Sequence, residues 1–243
     1  MRALPKINSK YWTALMVASI FGTNTGDYFA RALHMGHLNG LPLLIGLFAL
    51  ILLVERFVSP RASVLYFWAA IITVRTAATN VGDAFHDFKL GFGISIPIVI
   101  ALFAISVAIY SKAGKADAAR TTEPSVRVDT TYWVCMMLAG VLGTLAGDWL
   151  AEDIGLMTLG ATVVYGALIA IMFFAGRGGR LVQPLFYWVT IALIRSAGTA
   201  AGDFIAHSIS LPVATALTGT VFIALIVYFY EVKKVNAIAL SAA

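Results

Sequence analysis

Residues 11–27 read Tyr11-Trp12-Thr13-Ala14-Leu15-Met16-Val17-Ala18-Ser19-Ile20-Phe21-Gly22-Thr23-Asn24-Thr25-Gly26-Asp27. The frame of this stretch occurs four times. Trp12, Trp68, Trp133 and Trp188 are each followed, fifteen residues on, by Asp27, Asp83, Asp148 and Asp203. A glycine precedes each Asp (Gly26, Gly82, Gly147, Gly202), and a threonine stands four before it (Thr23, Thr79, Thr144, Thr199). An aromatic precedes each Trp: Tyr11, Phe67, Tyr132 and Tyr187. Four coincident columns in four copies define an internal repeat, and a repeat fixes an architecture before any single element is assigned.

The background to these columns is apolar. Of 243 residues, 60% are hydrophobic and 12% charged, with a mean hydropathy of +0.88. Soluble domains carry roughly 25% charge. The deficit excludes a soluble enzyme, a disordered tail and a free nucleic-acid binder, despite a net charge of +5 and a pI near 9.4. Cys135 is the one cysteine, so an intramolecular disulfide, a thiolate metal cluster and a CxxC motif are excluded. A cleavable signal peptide is not expected at the N-terminus, and the first apolar segment belongs to the repeat.

Residues 38–54, 90–111, 154–176 and 208–230 hold no Asp, Glu, Lys, Arg or His. Each approaches the ~20 residues that cross a bilayer. Between them lie apolar segments with isolated charges, near 11–30, 62–86, 131–151 and 181–206. The expected fold is an all-α membrane protein of eight transmembrane helices, four tandem helical hairpins in two parallel halves. The halves are 1–111 and 131–243, joined by a polar linker at 112–130. Arg75 and Arg195 stand seven residues after the second and fourth Trp, where the other copies have Ser19 and Gly140. That alternation pairs the copies and relates the halves by an axis along the membrane normal. The N-terminus, 55–61, the linker, 177–180 and the C-terminus hold 13 of the 17 Lys and Arg. Both termini and the linker are therefore expected in the cytoplasm.

Residues four apart share a helix face. The stripes are Ser19-Thr23-Asp27-Arg31, Arg75-Thr79-Asp83-Asp87, Gly140-Thr144-Asp148-Glu152 and Arg195-Thr199-Asp203-His207. At 1.5 Å per residue each Asp lies about 22 Å beyond its Trp. The four acids then share one depth in the outer third of the bilayer. An ionisable residue there costs at least ~2.5 kcal/mol, so each should face the bundle interior. The glycines and the small residues four before them are expected to be packing faces. The aromatic–Trp pairs are expected to be interfacial anchors.

Four aspartates and two arginines sum to a net −2 when ionised, which suits one divalent cation, two monovalent cations or two protons. Asp27, Asp83, Asp148 and Asp203 are the candidate ligands or proton carriers. Thr23, Thr79, Thr144, Thr199, Asn24 and Asn80 are candidate oxygen donors, and Arg75 and Arg195 candidate charge balance. A second, outer cluster offers His86, Asp87, Glu152 and His207 as metal ligands, since Asp83-x-x-His86-Asp87 and Asp203-x-x-x-His207 set donors one turn apart. Carboxylate and imidazole donors suit Mn, Zn, Fe, Co or Ni.

The expected function is transport or channelling of a small cation, a divalent metal first, with proton coupling. The metal is substrate; no cofactor is expected. The partner is the lipid bilayer, with no nucleic acid, and no oligomer is indicated. Two alternatives stand beside it. One is a non-transporting sensor or assembly module in which Asp and Arg pair as internal glue. The other is a carrier of a polar organic or anionic substrate recognised by the arginines. An intramembrane carboxylate hydrolase is disfavoured, because the Gly-x-Gly-Asp motif of such enzymes is absent from all four copies.

Across 11–231, the Trp…Thr-x-x-Gly-Asp units resemble a group of bacterial integral membrane proteins built from four tandem two-helix repeats with a characteristic tryptophan. The resemblance implies this architecture and a bacterial inner-membrane location. It implies no substrate and no catalytic residue.

Overall fold

The computed structural model describes residues 5–118 and 126–241, and all regular structure among them is helical. Helix α1 (Ser9–Asp27) runs into a π-helical turn, Tyr28–Ala32. A short α2 (Gly36–Asn39) precedes α3 (Leu41–Glu55), α4 (Pro60–Asp87) and α5 (Phe92–Ala118). Then come α6 (Thr130–Asp148) with a second π-turn (Trp149–Asp153), α7 (Met157–Ala175), α8 (Pro184–Ile209) and α9 (Leu211–Ser241). The repeat helices start alike in pairs. Asn8 and Asp129 cap α1 and α6 by accepting from Tyr11 N and Tyr132 N; α4 and α8 open on Pro60 and Pro184, with Ser59 capping α4 by accepting from Ala62 N. The π-turns also follow only Asp27 and Asp148.

Among the described residues, seven helical stretches are long and apolar enough to cross a membrane. Helix α1 is not one of them, because Ser19, Thr23, Asn24, Thr25 and Asp27 dilute its apolarity. It nevertheless stands in the bundle as an equal of the other repeat helices. The expected linker, 112–130, is helical at its start, since α5 continues to Ala118. Its middle, 119–125, lies outside the described residues.

The four repeat helices form a closed inner ring in the order α1, α4, α6, α8 and back to α1. The other four long helices form an outer layer. In the most apolar window of Ala62–Asp87, 67% of residues are buried, against 11% in Gly36–Glu55. The repeat was expected to be a self-packed hairpin, and here the structure differs. Helix α3 packs on α4, α5 on α6, α7 on α8, and α9 closes on α1 while also resting on α8 of its own copy. Each outer helix therefore covers the inner helix of the next copy, and the C-terminal helix completes the circle on the first.

The same packing recurs at all four interfaces. A Cβ added at Gly26 would lie 2.9 Å from Thr79 Cβ, at Gly82 2.7 Å from Thr144 Cβ, and at Gly147 2.8 Å from Thr199 Cβ; at Gly202 it would meet Thr23 Cβ at 3.3 Å. One turn earlier, Gly22 faces Arg75, Gly140 faces Ala78, Gly143 faces Arg195 and Gly198 faces Ser19. Lipid supplies no hydrophobic drive between helices, so close backbone approach at small residues carries their association. Gly147→Val is expected to cost about 1–3 kcal/mol by overpacking. Gly166, with open space around it, is the control: Gly166→Ala is expected to leave stability unchanged or raise it. Thermal melting of the two variants in detergent checks both.

The aromatic–Trp pairs correct a second expectation. All eight rings are buried inside the bundle end rather than turned to an interface, with Trp133, at 8%, the most exposed. Each ring meets its neighbour edge-on, with centroids 5.1–5.3 Å apart. Each Trp also packs on the aromatic of the preceding copy: Trp68 on Tyr11, Trp133 on Phe67, Trp188 on Tyr132 and Trp12 on Tyr187. Successive helical positions point ~100° apart. The first aromatic therefore faces the axis while the Trp fills the seam between helices, and the eight together close that end.

Candidate functional site

The axis inside the ring is polar from the aspartates down to the aromatic end. Arg75 occupies its middle and is fully buried. Its Nη2 donates to Thr23 Oγ1 and Thr199 Oγ1, both at 2.6 Å, and to the Arg195 carbonyl at 3.3 Å. Its Nη1 donates to the Gly140 carbonyl at 2.9 Å and Thr144 Oγ1 at 3.1 Å, and its Nε to the Ser19 carbonyl at 3.4 Å. The guanidinium thus touches all three other ring helices. The threonines are aimed by their own helices: Thr23 donates back to the Ser19 carbonyl and Thr199 to that of Arg195, leaving lone pairs for the arginine. Thr79, on Arg75's own helix, is buried without a hydrogen-bond partner among the described residues.

One turn beyond the threonines lie the four aspartates. Asp27 and Asp83 are buried, while Asp148 and Asp203 are half-buried and open toward that end of the bundle. The carboxyls of Asp27 and Asp83 reach hydrogen-bonding distance of each other, and all four acids lie close enough to interact electrostatically. Arg31, its side chain 63% exposed, caps the layer. Its Nη2 is 3.5 Å from Asp27 Oδ1, and its charge reaches all four carboxyls. Among the described residues neither Arg75 nor Arg195 forms an ion pair with a carboxylate. Every hydrogen bond of Arg75 there goes to a neutral oxygen.

The remaining candidates are placed differently. Asn24 turns toward α9, where its Nδ2 donates to Thr218 Oγ1 at 3.5 Å, and Asn80 is buried without a partner among the described residues. Arg195 shares the column of Arg75 but not its partners. It points to the aromatic end, and its Nη2 meets Met136 Sδ at 3.7 Å. The outer cluster does not assemble. His86 packs edge-on against Phe92, Glu152 is exposed, and His207 Nδ1 donates to the Asp203 carbonyl at 2.7 Å. Asp87 instead accepts from His37 Nδ1 at 2.7 Å, and His37 Nε2 stands 3.8 Å from Asp83 Oδ2. His37 and Arg31 complete the mouth of the layer. The sequence groups His37 with the other histidines at the outer end but gives no helical spacing that links it to Asp83. His37 arrives on α2, after a turn with positive φ at His34 and Gly36. Among the described residues no three His, Cys, Asp or Glu side chains converge as a metal-ion site.

The sequence of the chain matches the Repeat of Unknown Function (DUF347) over residues 10–59, 131–176 and 186–234. The chain belongs to this repeat family. Each matched segment begins with a ring helix and runs on into the outer helix joined to it. The second copy lies outside the matched residues, yet its Phe67, Trp68, Thr79, Gly82 and Asp83 occupy the same places in the ring. No curated protein and no solved structure matches the chain.

Proposed function

We propose that this member of the family is an eight-helix bacterial inner-membrane transporter of a small cation, with Asp27, Asp83, Asp148 and Asp203 as the binding layer. Both termini and 112–130 lie in the cytoplasm in this reading, following the positive residues. The aspartate layer then faces outward, and the aromatic end closes the cytoplasmic side. One observation carries the reading. A fully buried arginine lies on the axis one turn below four carboxyls and pairs with none of them. Internal glue would join these groups, because unpaired charge in a membrane is expensive. The separation leaves the carboxyls available to a mobile cation.

Arg75 then acts as a resident counter-charge. Two unit charges about 5 Å apart at an effective dielectric constant of 20 interact by roughly 3 kcal/mol, and a divalent ion doubles this. A cation in the layer keeps the guanidinium down among the threonines. When the cation leaves, the freed carboxyls attract Arg75 upward. The same acids thus alternate between ion and arginine, which couples binding to movement on the axis. A divalent ion of the Mn, Zn, Fe, Co or Ni class suits the net −2 of the buried charges. With Asp27 and Asp83 as its nearest pair of ligands, it keeps waters in its remaining positions.

Flux into proteoliposomes of the purified protein tests the proposal. A panel of Mn, Zn, Co and Ni with Na and K as comparison, and a pH-sensitive dye inside, is expected to give saturable uptake of at least one cation. Absence of flux for every ion, with proton movement equal to that of empty vesicles, overturns cation transport and leaves the non-transporting module or the carrier of a polar organic or anionic substrate.

A further inference from the structure

Arg195 is a fully buried cation that enters the cation-transport reading only through the overall charge sum, and its surroundings are chemically incomplete. Among the described residues its Nε and Nη1 have no hydrogen-bond partner, and its Nη2 has only a thioether sulfur. Arg75, seven residues after the matching Trp, has oxygen acceptors for every nitrogen. The nearest titratable groups that act electrostatically on Arg195 are the hydroxyls of Tyr11, Tyr132 and Tyr187, all buried at the same end of the bundle. These form a chain, Tyr11 to Tyr187 at 2.6 Å and Tyr132 to Tyr187 at 3.1 Å. Three hydroxyls have three protons and make two bonds with one another, so one O–H remains to donate. The site offers N–H and O–H donors, a full positive charge and no carboxylate. A sulfur neighbour does not compensate a guanidinium removed from water.

We propose that Arg195 and the Tyr11–Tyr187–Tyr132 chain hold a small monovalent anion of the chloride class. Such an ion accepts from the guanidinium and from the spare hydroxyl and neutralises the charge. Its size follows from the walls. Met136, in contact with the guanidinium, and Tyr132 are both fully buried in the packed core, and such packing suits a single atom better than a carboxylate or phosphate. The position also explains the aromatic column. Three copies carry Tyr and one carries Phe67, so the ring end has hydroxyls on the helices bearing Tyr11, Tyr132 and Tyr187 and an apolar wall on α4. The anion site shares no residue with the aspartate layer, and Arg195 enters the cation reading only through the charge sum, so the two are tested separately.

The test uses full-length protein in detergent, melted in sodium chloride, bromide or gluconate at equal ionic strength. A ligand bound only by the folded state raises the melting temperature with its concentration. Halides are expected to raise it saturably and gluconate to leave it unchanged. Bromide-soaked crystals are expected to give an anomalous peak at the Arg195 guanidinium. Arg195→Met is expected to abolish the halide effect. The combined change of Tyr11, Tyr132 and Tyr187 to Phe, which keeps the rings and removes every hydroxyl of the chain, is expected to weaken halide affinity roughly tenfold, the scale of one lost bond to a charged group. If Arg195→Met does not fold, the combined Tyr→Phe variant decides. Equal melting in halide and gluconate, as ordered water alone would give, overturns the site. So does a halide effect unchanged by the variants, or a bromide peak found only elsewhere. Cation flux measured in gluconate keeps the two tests separate.

Discussion

Arg75→Met is expected to cost about 3–5 kcal/mol of stability, the scale of breaking a buried charge network, with flux lost as well. The reason lies in its partners. Arg75 gives hydrogen bonds to three threonine hydroxyls and three carbonyls on α1, α6 and α8, so a single side chain ties three ring helices from the fourth. Methionine keeps the length but supplies no donor, and it strands those hydroxyls in the core. Bonds to charged groups are worth ~1.5–3 kcal/mol each, offset by the cost of burying the guanidinium. In gluconate the matching change Arg195→Met is expected to cost less than about 1 kcal/mol, since this guanidinium donates to a thioether sulfur and ties no second helix through oxygen. Chemical unfolding of both variants in detergent checks the contrast. Equal destabilisation at the two positions would contradict the assignment of Arg75 to the centre of the ring.

Asp83→Asn is expected to act in the opposite sense, removing function while sparing stability. Asparagine keeps the shape and hydrogen-bonding reach of the side chain. It removes the cost of holding a carboxylate at a site only 7% exposed and the repulsion from Asp27 beside it. A gain of about 1–2 kcal/mol is expected, below the ~2.5–3.5 kcal/mol of a charged residue at a bilayer centre because the mouth is partly open. His37, 3.8 Å away, offsets little of this. Uptake is expected to fall at least a hundredfold. Stability gained where activity is lost marks a residue kept for function. Melting and flux measured on the same preparation decide it.

Much of this fold was legible in the sequence for a physical reason. Period and spacing are one-dimensional properties, and the Trp-to-Asp interval sets the inner helices, the common depth of the acids and the inward face. Pairing in space is not one-dimensional. The sequence joins α3 to α1, yet α3 covers α4. A four-fold repeat presents four equivalent partners, and only ring closure, with α9 returning to α1, selects among them. The tryptophans misled for a related reason. A Trp at the end of an apolar helix suits a membrane interface and a wide bundle end equally well, and only the seam between neighbouring copies distinguishes the two. The arginines show the limit most plainly. Arg75 and Arg195 occupy the same column of the repeat, but the axis accepts one guanidinium at the threonine level, so the other turns to the tyrosines.

The measurement that bears most directly on the cation reading is uptake into proteoliposomes by the four single variants Asp27→Asn, Asp83→Asn, Asp148→Asn and Asp203→Asn, each normalised to folded protein. If the aspartates form the binding layer, all four lose uptake while melting at or above the wild-type temperature, and the deeper pair, Asp27 and Asp83, loses most. Wild-type uptake in all four, with only stability altered, would contradict it.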